Sequence, residues 1–257
     1  MFEKYMDVLW HLIDPWHFMC FSASYLPVTI FNLLITLQFS VLLSPSKLKD
    51  AWFARFWGRV GPETRENAIP RVRPLISQAR GVVLEIGPGS GEWVNLYDKE
   101  KVTKVYGVEP NRDHHELLRR RVKEAGLSDI YEIVPVGVEE LGETWVGMGE
   151  VDSIVTIQCL CSVPKPKEMI NALYGYVKEG GQWIVYEHVV THHGRFIAAY
   201  QALVDIPWPH FLGGCSITRD TEKWLRASGR WSKVDLQQPE LEPSYQVIPH
   251  VMGILTK

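Results

Sequence analysis

From Val82 to the end of the chain, short runs of apolar residues alternate with longer segments in which apolar residues recur every three or four positions. Short apolar runs bounded by Gly, Pro and polar residues are typical of buried strands, whereas the longer spacing is typical of helices with one packed face. The runs predict strands at Val82–Ile86, Lys104–Val108, Ile130–Pro135, Val151–Ile157, Gln182–His188, Ser232–Gln237 and Val247–Thr256. Helices are predicted at Glu92–Tyr97, Asp113–Ala125, Pro166–Val177, Phe196–Asp205 and Thr221–Ala227.

This order of strands and helices predicts the fold class. Strands that alternate with helices form a parallel sheet covered on both faces, and the last two strands, joined by a Pro-rich loop, are expected to close it as an antiparallel hairpin. We therefore expect an α/β fold, a Rossmann-like, doubly wound and mostly parallel seven-stranded sheet, in residues 81–257. A chain of 257 residues has room for one such domain with an attached N-terminal element.

The first 80 residues have a different pattern and are expected to form a separate helical segment. Residues 15–46 contain no Asp, Glu, Lys or Arg, and Phe21–Leu43 is mostly apolar. After Pro27 about 16 residues remain before a break, and as a helix they would span roughly 24 Å, short of the ~30 Å hydrocarbon core of a membrane. Residues 47–80 are expected to form helical pieces broken at Gly61–Pro62 and at Pro70.

Two interpretations of the uncharged segment stay open. Polar residues share one side of the predicted helix, which favours a helix that packs on the main domain and helps to roof its pocket. These residues are Thr29, Asn32, Thr36 and Ser40. The alternative is membrane association through residues 21–43. If the segment spans the membrane, the cations that follow it would hold the main domain in the cytosol. We expect a cytoplasmic protein under either interpretation.

Charge and cysteine usage exclude several other classes of protein. A formal net charge of −3 provides no basic surface of the kind that nucleic-acid binders need. The four cysteines form no CxxC pair, which favours a reducing compartment. No HExxH motif or Cys/His ligand spacing is present, so the sequence predicts no metal site.

A glycine loop directly after the first predicted strand is the strongest chemical signal. In the stretch VVLEIGPGSGEW, the carboxyl end of that strand, where a doubly wound sheet binds its ligand, is followed by Gly87, Gly89 and Gly91. Glu85 precedes these glycines, and Glu109 ends the next strand in VYGVEPN, a position from which a carboxylate can accept hydrogen bonds from ribose hydroxyls. Glu92 stands where the dinucleotide motif G-x-G-x-x-G has its third glycine, which argues against an NAD-dependent dehydrogenase.

These stretches resemble motifs of a known superfamily. LEIGPGSGE, GVEPN and VDSIVTIQCLCSV are similar to the first, second and fourth motifs of class I S-adenosylmethionine-dependent methyltransferases. LCSV, EHV, GGC-x-x-TR and PHVMG in the second half resemble the methyltransferase-like seven group of membrane-associated thiol methyltransferases. The resemblance spans roughly Val82 to the C-terminus, and it implies S-adenosylmethionine as the cofactor and a small molecule as the methyl acceptor.

The resemblance also implies roles for individual residues. It places the methionine part of the cofactor beside the three glycines, its amino group near Glu85 and its ribose at Glu109. The other cofactor-binding positions that it implies are Gly137, Val138 and Glu139 around the adenine, with Gln158 and Cys159 near the methyl group.

The expected reaction is S- or O-methylation of a small, largely apolar molecule, as in thiol detoxification or secondary-metabolite biosynthesis. A thiol is already partly ionised near neutral pH and needs little help from a base, whereas an aliphatic alcohol needs one. Among the candidate bases His188, His210 and His250, we prefer His188 because it follows the fifth strand at the ligand-binding edge. The alternative is a protein of the same fold that binds the cofactor and catalyses a non-methylating pericyclic or dehydration step.

Overall fold

The computed structural model describes the backbone of residues 2–257 and the side chains of those residues other than Phe2 and Glu143. Its strands form one seven-stranded sheet, as predicted. The strands are β1 (Gly81–Ile86), β2 (Val102–Val108), β3 (Tyr131–Val134), β4 (Val151–Ile157), β5 (Val177–His188), β6 (Lys233–Gln237) and β7 (His250–Thr256). The largest difference at the start of a parallel strand is in β5, which begins at Val177 instead of Gln182.

The strands lie in the order β3-β2-β1-β4-β5-β7-β6. The pairs among β1 to β5 are parallel, while β7 pairs antiparallel with both β5 and β6. This confirms the predicted Rossmann-like, doubly wound sheet with its C-terminal hairpin. The chain reverses its direction across the sheet between β1 and β4, so a crevice opens there at the carboxyl ends of the strands.

Helices cover both faces of the sheet and precede it. They are α1 (Phe2–Ile35), α2 (Phe39–Leu42), α3 (Pro45–Ile76), α4 (His115–Glu124), α5 (Gly142–Trp145), α6 (Pro166–Tyr176), α7 (Arg195–Asp205), α8 (Trp208–Phe211) and α9 (Thr221–Ala227). The helix predicted at Glu92–Tyr97 is wrong, because only a single 3-10 turn forms there, at Val94–Leu96. Trp93, Val94 and Tyr97 are all buried in the core, so this segment packs as a loop beneath the sheet edge.

Apolar side chains fill both faces of the sheet. Neighbouring residues of a strand point to opposite faces, and in β1 Leu84 belongs to the layer under α6 and α9. Val83 belongs to the layer under α3 and α4. Both residues are fully buried, so β1 lies at the centre of the molecule and the loop that follows it has a rigid base.

The N-terminal helices run through their prolines, which corrects two expectations. The helix α1 is continuous over 34 residues with Pro15 and Pro27 inside it, so it is about 51 Å long and not limited by Pro27. The helix α3 is continuous over 32 residues and contains Pro62 and Pro70, where we expected breaks. A proline removes one backbone hydrogen bond, but in α3 buried apolar side chains on both sides of each proline hold the helix against the domain.

The helix α1 packs along one side on the main domain. Ser22 Oγ donates a hydrogen bond of 2.7 Å to the backbone oxygen of Phe211 in α8, and Trp52 Nε1 of α3 donates one of 2.8 Å to the backbone oxygen of Ser22. Trp16 Nε1 donates a bond of 2.8 Å to the hydroxyl of Tyr200 in α7. These contacts join α1 to three other helices.

The opposite side of α1 is apolar and exposed. Trp10, Ile13 and Phe31 have 56, 46 and 62% of their surface exposed. By length and composition alone, the segment Glu3–Ile35 could cross a membrane, since its most apolar stretch has a mean hydropathy of 1.7. Only 22% of that stretch is buried inside the protein. The helix therefore has one packed side and one unpartnered apolar side.

A carboxylate is buried beneath the sheet at Glu85 of β1. Its Oε2 accepts a hydrogen bond of 2.7 Å from the hydroxyl of Tyr131. Gly107 on the neighbouring strand makes room for this pair, because a Cβ there would lie 2.3 Å from the Tyr131 hydroxyl. Burial raises the pKa of Glu85 to about 7 in spite of that hydrogen bond.

This shift makes the stability of the fold depend on pH. Between pH 4.5 and 7 the folded chain keeps a proton on Glu85 that the unfolded chain releases, so the contribution of this residue to stability falls as the pH rises. We expect Glu85→Gln to remove this pH dependence. The free energy of unfolding of the variant minus that of the wild type should then be about 3 kcal/mol larger at pH 8 than at pH 4. Urea unfolding across this pH range measures the difference. Glu179→Gln, whose side chain is 88% exposed, is the matched control and should follow the wild-type curve; a parallel curve for Glu85→Gln would contradict the assignment.

Candidate active site

A cavity of about 610 Å³ opens at the carboxyl ends of β1, β2, β4 and β5. A volume of this size suits a cofactor together with a small molecule. The helices α1 and α3, which we call the roof, cover the cavity with Asp14, Phe18, Asp50, Phe53 and Trp57. The cavity therefore lies between the crevice that the sheet topology creates and the helices that precede the sheet.

The glycine loop, residues 87–91, forms one wall of the cavity. Gly87 and Gly89 line it and have φ angles of +63° and +56°, a conformation that favours glycine. A Cβ at Gly87 would lie 2.5 Å from the sulfur of Cys159, so a side chain there would collide with the opposite wall. These two positions leave the main chain open to a ligand, as the glycine spacing predicts.

Gly91 packs against α4. Its φ angle of +87° also favours glycine, but a Cβ there would lie 2.9 Å from Cδ1 of Leu118 in α4. It is not among the residues that line the cavity. Gly91 thus lets the loop pack closely on α4, and its place beside the cofactor stays a prediction.

Glu109, at the carboxyl end of β2, faces the cavity. Its Oε2 accepts a hydrogen bond of 2.9 Å from the backbone N–H of Gly89, and its Oε1 accepts one of 2.9 Å from that of Asn111. Burial raises the pKa of Glu109 to about 7, although these two hydrogen bonds act in the opposite direction. A carboxylate has about four acceptor positions, so Glu109 can hold the glycine loop and still accept bonds from a ligand.

Glu85 lies elsewhere. Its side chain projects to the face of the sheet that carries Val83 and bonds Tyr131, and it does not line the cavity. The resemblance places the cofactor amino group near this carboxylate, which stays a prediction, since Glu85 is not among the residues that line the cavity. The other predicted cofactor positions all line the cavity: Gly137, Val138, Glu139, Gln158 and Cys159.

Gln158 has a strained backbone. It follows β4 with a φ angle of +54°, although it is not a glycine, and such strain is concentrated at functional sites. Its backbone N–H donates a bond of 2.7 Å to the backbone oxygen of Tyr186 in β5. The turn aims the residues that follow toward the middle of the cavity.

The carboxylate of Glu187 holds this turn from below. Glu187 is fully buried at the end of β5, and it accepts hydrogen bonds of 3.0 Å from the backbone N–H groups of Cys159 and Leu160. Burial raises its pKa to about 7, against the effect of these bonds. The motif EHV therefore contains a residue that positions the cavity wall, directly before His188.

Among the histidines singled out from the sequence, His188 and His250 line the cavity and His210 does not. The Nδ1 atom of His188 lies 3.5 Å from the sulfur of Cys215. Burial acts to lower the pKa of His188, but the nearby sulfur of Cys161 and two carboxylates outweigh it, and the pKa is raised.

The ring of His250 is held by contacts with Glu242 and Tyr186. Its Nδ1 lies 2.5 Å from Oε1 of Glu242, and its ring stacks on Tyr186 with the centroids 4.6 Å apart. Burial lowers the pKa of His250 to about 4. It is therefore neutral near pH 7, and it serves as a wall residue with its position fixed by Glu242.

The far end of the cavity, which we call the acceptor end, is mostly apolar and sulfur-bearing. It is formed by Phe18, Cys161, His188, Trp208, Leu212, Cys215 and Ile248. Trp208 packs on Phe18 with the rings 6.1 Å apart, and its buried Nε1 has no hydrogen-bond partner among the described residues. This end can take an apolar molecule.

Sequence reasoning missed the contribution of α3 to the site. Phe53 and Trp57, one helical turn apart, stack with their centroids 5.8 Å apart and line the cavity above the glycine loop. His114 contacts Phe53 edge-on, and burial lowers its pKa to about 4. The Trp-rich stretch at residues 51–57 was the available signal, since aromatic residues one turn apart indicate a packed face.

Comparisons with known proteins agree with this geometry. The sequence model of a family described as "methyltransferase domain" matches residues 61–229. The human thiol S-methyltransferase TMT1B is 25% identical over 219 residues, which cover 82% of this chain and 88% of that protein.

Solved structures show the same fold. The S-adenosylmethionine-dependent methyltransferase SibL superposes with a TM-score of 0.56 and 18% identity over 79% of this chain and 58% of that one. The [4+2]-cyclase SpnF superposes with a TM-score of 0.52 and 20% identity over 67% of this chain and 60% of that one. The chain thus spans less than two thirds of the length of these two proteins.

Proposed function

Because this chain belongs to the methyltransferase domain family, we propose that it is an S-adenosylmethionine-dependent methyltransferase whose acceptor is a small, largely apolar thiol. The observation that carries the proposal is that one cavity joins a loop suited to the cofactor to an apolar, sulfur-bearing acceptor end. The likeness to human thiol S-methyltransferase TMT1B supports the choice of sulfur over oxygen. Small apolar phenols are the next candidates.

The residues present fit the cofactor. Gly87 and Gly89 leave a cradle that a Cβ would fill, and Glu109 places a carboxylate in the same space. We propose that Glu109 holds the ribose, that residues 137–139 flank the adenine, and that Gln158 and Cys159 lie near the reacting groups. When bound, S-adenosylmethionine supplies an electrophilic methyl group on a sulfonium.

The acceptor end favours the chemistry of a thiolate. A thiolate and a sulfonium both lose their charge as the methyl group moves, so a site that excludes water stabilises the transition state relative to the reactants. The roof supplies this exclusion with Phe18, Phe53 and Trp57. The cavity walls also hold the two reactants at a fixed separation, which removes much of the entropic cost of their encounter. The role of His188 as a general base stays a prediction. Its Nδ1 faces the sulfur of Cys215.

Product analysis tests the acceptor class. We expect the purified chain, given S-adenosylmethionine and an alkyl or aryl thiol, to form S-adenosylhomocysteine and a thioether heavier than the thiol by one methylene. The phenol and alcohol of the same carbon skeleton are the controls, and mass spectrometry reads both products. A phenol ether formed faster than the thioether would contradict the choice of sulfur. Cofactor binding without methylation of any of the three would favour the non-methylating alternative.

The cofactor site has its own test in Glu109→Ala. A hydrogen bond to a charged group contributes about 1.5–3 kcal/mol, so we expect the affinity for S-adenosylmethionine to fall about tenfold to a hundredfold in a calorimetric titration. Glu66→Ala is the control, because the side chain of Glu66 is 70% exposed on the outer side of α3. Thermal unfolding of both variants checks that the fold is intact. Equal affinity in Glu109→Ala and the wild type would exclude Glu109 as a ligand of the ribose.

We also propose that the exposed apolar side of α1 rests on the cytosolic surface of an intracellular membrane. The packed side of the helix is bonded to α3, α7 and α8, so only the outer side is free to enter lipid. That side runs from Tyr5 to Ile35 with exposed apolar residues at helical spacing. A helix with one apolar side that lies flat at the interface satisfies both sets of contacts.

Vesicle flotation of the full chain tests this attachment. We expect the wild type to float with phosphatidylcholine vesicles, and we expect the double variant Trp10→Glu, Phe31→Glu to bind at least about tenfold less, since it loses two large apolar anchors. Leu241→Glu is the matched control, because Leu241 is 84% exposed outside α1. Vesicle binding that the double variant retains in full would exclude this side of α1 as the contact surface.

A further inference from the structure

Three side chains able to bind a metal converge at the acceptor end of the cavity. Cys161 follows β4, His188 ends β5, and Cys215 follows α8. Their two sulfur atoms and a ring nitrogen of the histidine all lie within 4.8 Å of one another. We propose that these three residues bind one zinc ion, whose remaining coordination position takes the sulfur of the acceptor.

The separations fit a tetrahedral site. Zinc binds thiolate sulfur at about 2.3 Å and imidazole nitrogen at about 2.0 Å, which in a tetrahedron places the sulfur and the nitrogen about 3.5 Å apart. The sulfur of Cys215 and Nδ1 of His188 are 3.5 Å apart. Two thiolates also neutralise the two charges of the ion, so the occupied site adds no net charge to a cavity with apolar walls.

The backbone holds the ligands in place. The backbone N–H of Ser216 donates a bond of 2.8 Å to the backbone oxygen of Cys161, which joins the two cysteine loops. Arg219 donates bonds of 2.7 Å to the backbone oxygens of Leu160 and Val163, on both sides of Cys161. Side chains whose supporting loops are fixed in this way form a preorganised ligand set.

The arrangement leaves one coordination position for a ligand from the cavity. A zinc site with three protein ligands is typical of catalytic zinc, and two cysteines with one histidine form one such set. All three residues line the cavity, so the fourth position faces it. His188 is then a ligand through Nδ1 and not a general base.

A metal at this place would activate the acceptor, a step that rests on the proposed function. A thiol that coordinates zinc is deprotonated, and its proton passes to solvent. The sulfur then forms its bond to the methyl carbon with its own electron pair, while the bond from that carbon to the sulfonium breaks and its electrons neutralise the cofactor. The thioether is a weaker ligand than the thiolate and can leave.

Cobalt titration of the full-length protein tests the site without turnover. We expect one Co²⁺ per chain to produce the strong visible bands of tetrahedral cobalt and a thiolate charge-transfer band, both of which one equivalent of Zn²⁺ removes. Cys161→Ser, Cys215→Ser and His188→Gln should lose these bands and keep their affinity for S-adenosylmethionine, which shows that they fold. Cys20→Ser is the control, because Cys20 is an exposed free cysteine on α1. Wild-type protein without these bands, or with bands that depend on Cys20, would overturn the proposal.

A second addition separates this inference from the proposed function. An alkyl thiol added to the cobalt form, with no S-adenosylmethionine present, should shift the charge-transfer band as its sulfur enters the fourth position. An unchanged spectrum would overturn the role of the metal in binding the acceptor. Thiol methylation by a chain that binds no cobalt would overturn the metal site and leave the proposed function intact.

Discussion

The floor of the cavity keeps its shape because buried glutamate carboxylates accept hydrogen bonds from the backbone of the loops above them. Glu109 fixes the glycine loop through the N–H of Gly89, and Glu187 fixes the turn after β4 through Cys159 and Leu160. An unpaired backbone N–H in such a place would be costly, and a carboxylate supplies several acceptors at once. Both loops are therefore anchored by carboxylates at the carboxyl ends of the strands. One of these loops would contact the cofactor and the other the acceptor.

The roof depends on a different kind of contact. The helices α1 and α3 are joined to the domain by aromatic packing, as between Phe18 and Trp208, and by indole hydrogen bonds such as that of Trp52. Packing of this kind also keeps the chain helical through its prolines, which alone would weaken a helix. The same two helices thus close the cavity on one side and present an apolar surface on the other.

The sheet could be predicted from the sequence because each buried strand is an apolar run between turn residues, and because βαβ order specifies a parallel sheet. The motif resemblance supplied the predicted cofactor positions, most of which line the cavity. The direction of the Glu85 side chain could also have been predicted from the sequence, since in β1 it shares a face with Val83 and not with Leu84. The paths of α1 and α3 could not be predicted from the sequence, because the local effect of proline on a helix indicated interruptions where the helices are continuous. The cluster of Cys161, His188 and Cys215 could not be predicted either, since its members are far apart in the chain and are brought together by the ends of β4 and β5 and the loop after α8.

The bonds that seat α1 have a consequence for the order of folding. Ser22 and its acceptor Phe211 are 189 residues apart, and Trp16 and Tyr200 are 184 residues apart. At ribosomal speeds of about 5–20 residues per second, roughly 10 to 40 seconds pass between the synthesis of α1 and that of its binding surface. During that interval the part of the packed side that contacts α7 and α8 is without its partner, and the outer side is apolar. A chaperone or a lipid surface that shelters α1 at this stage would therefore act before the acceptor end of the cavity is complete, because Cys215 and Ile248 are synthesised still later.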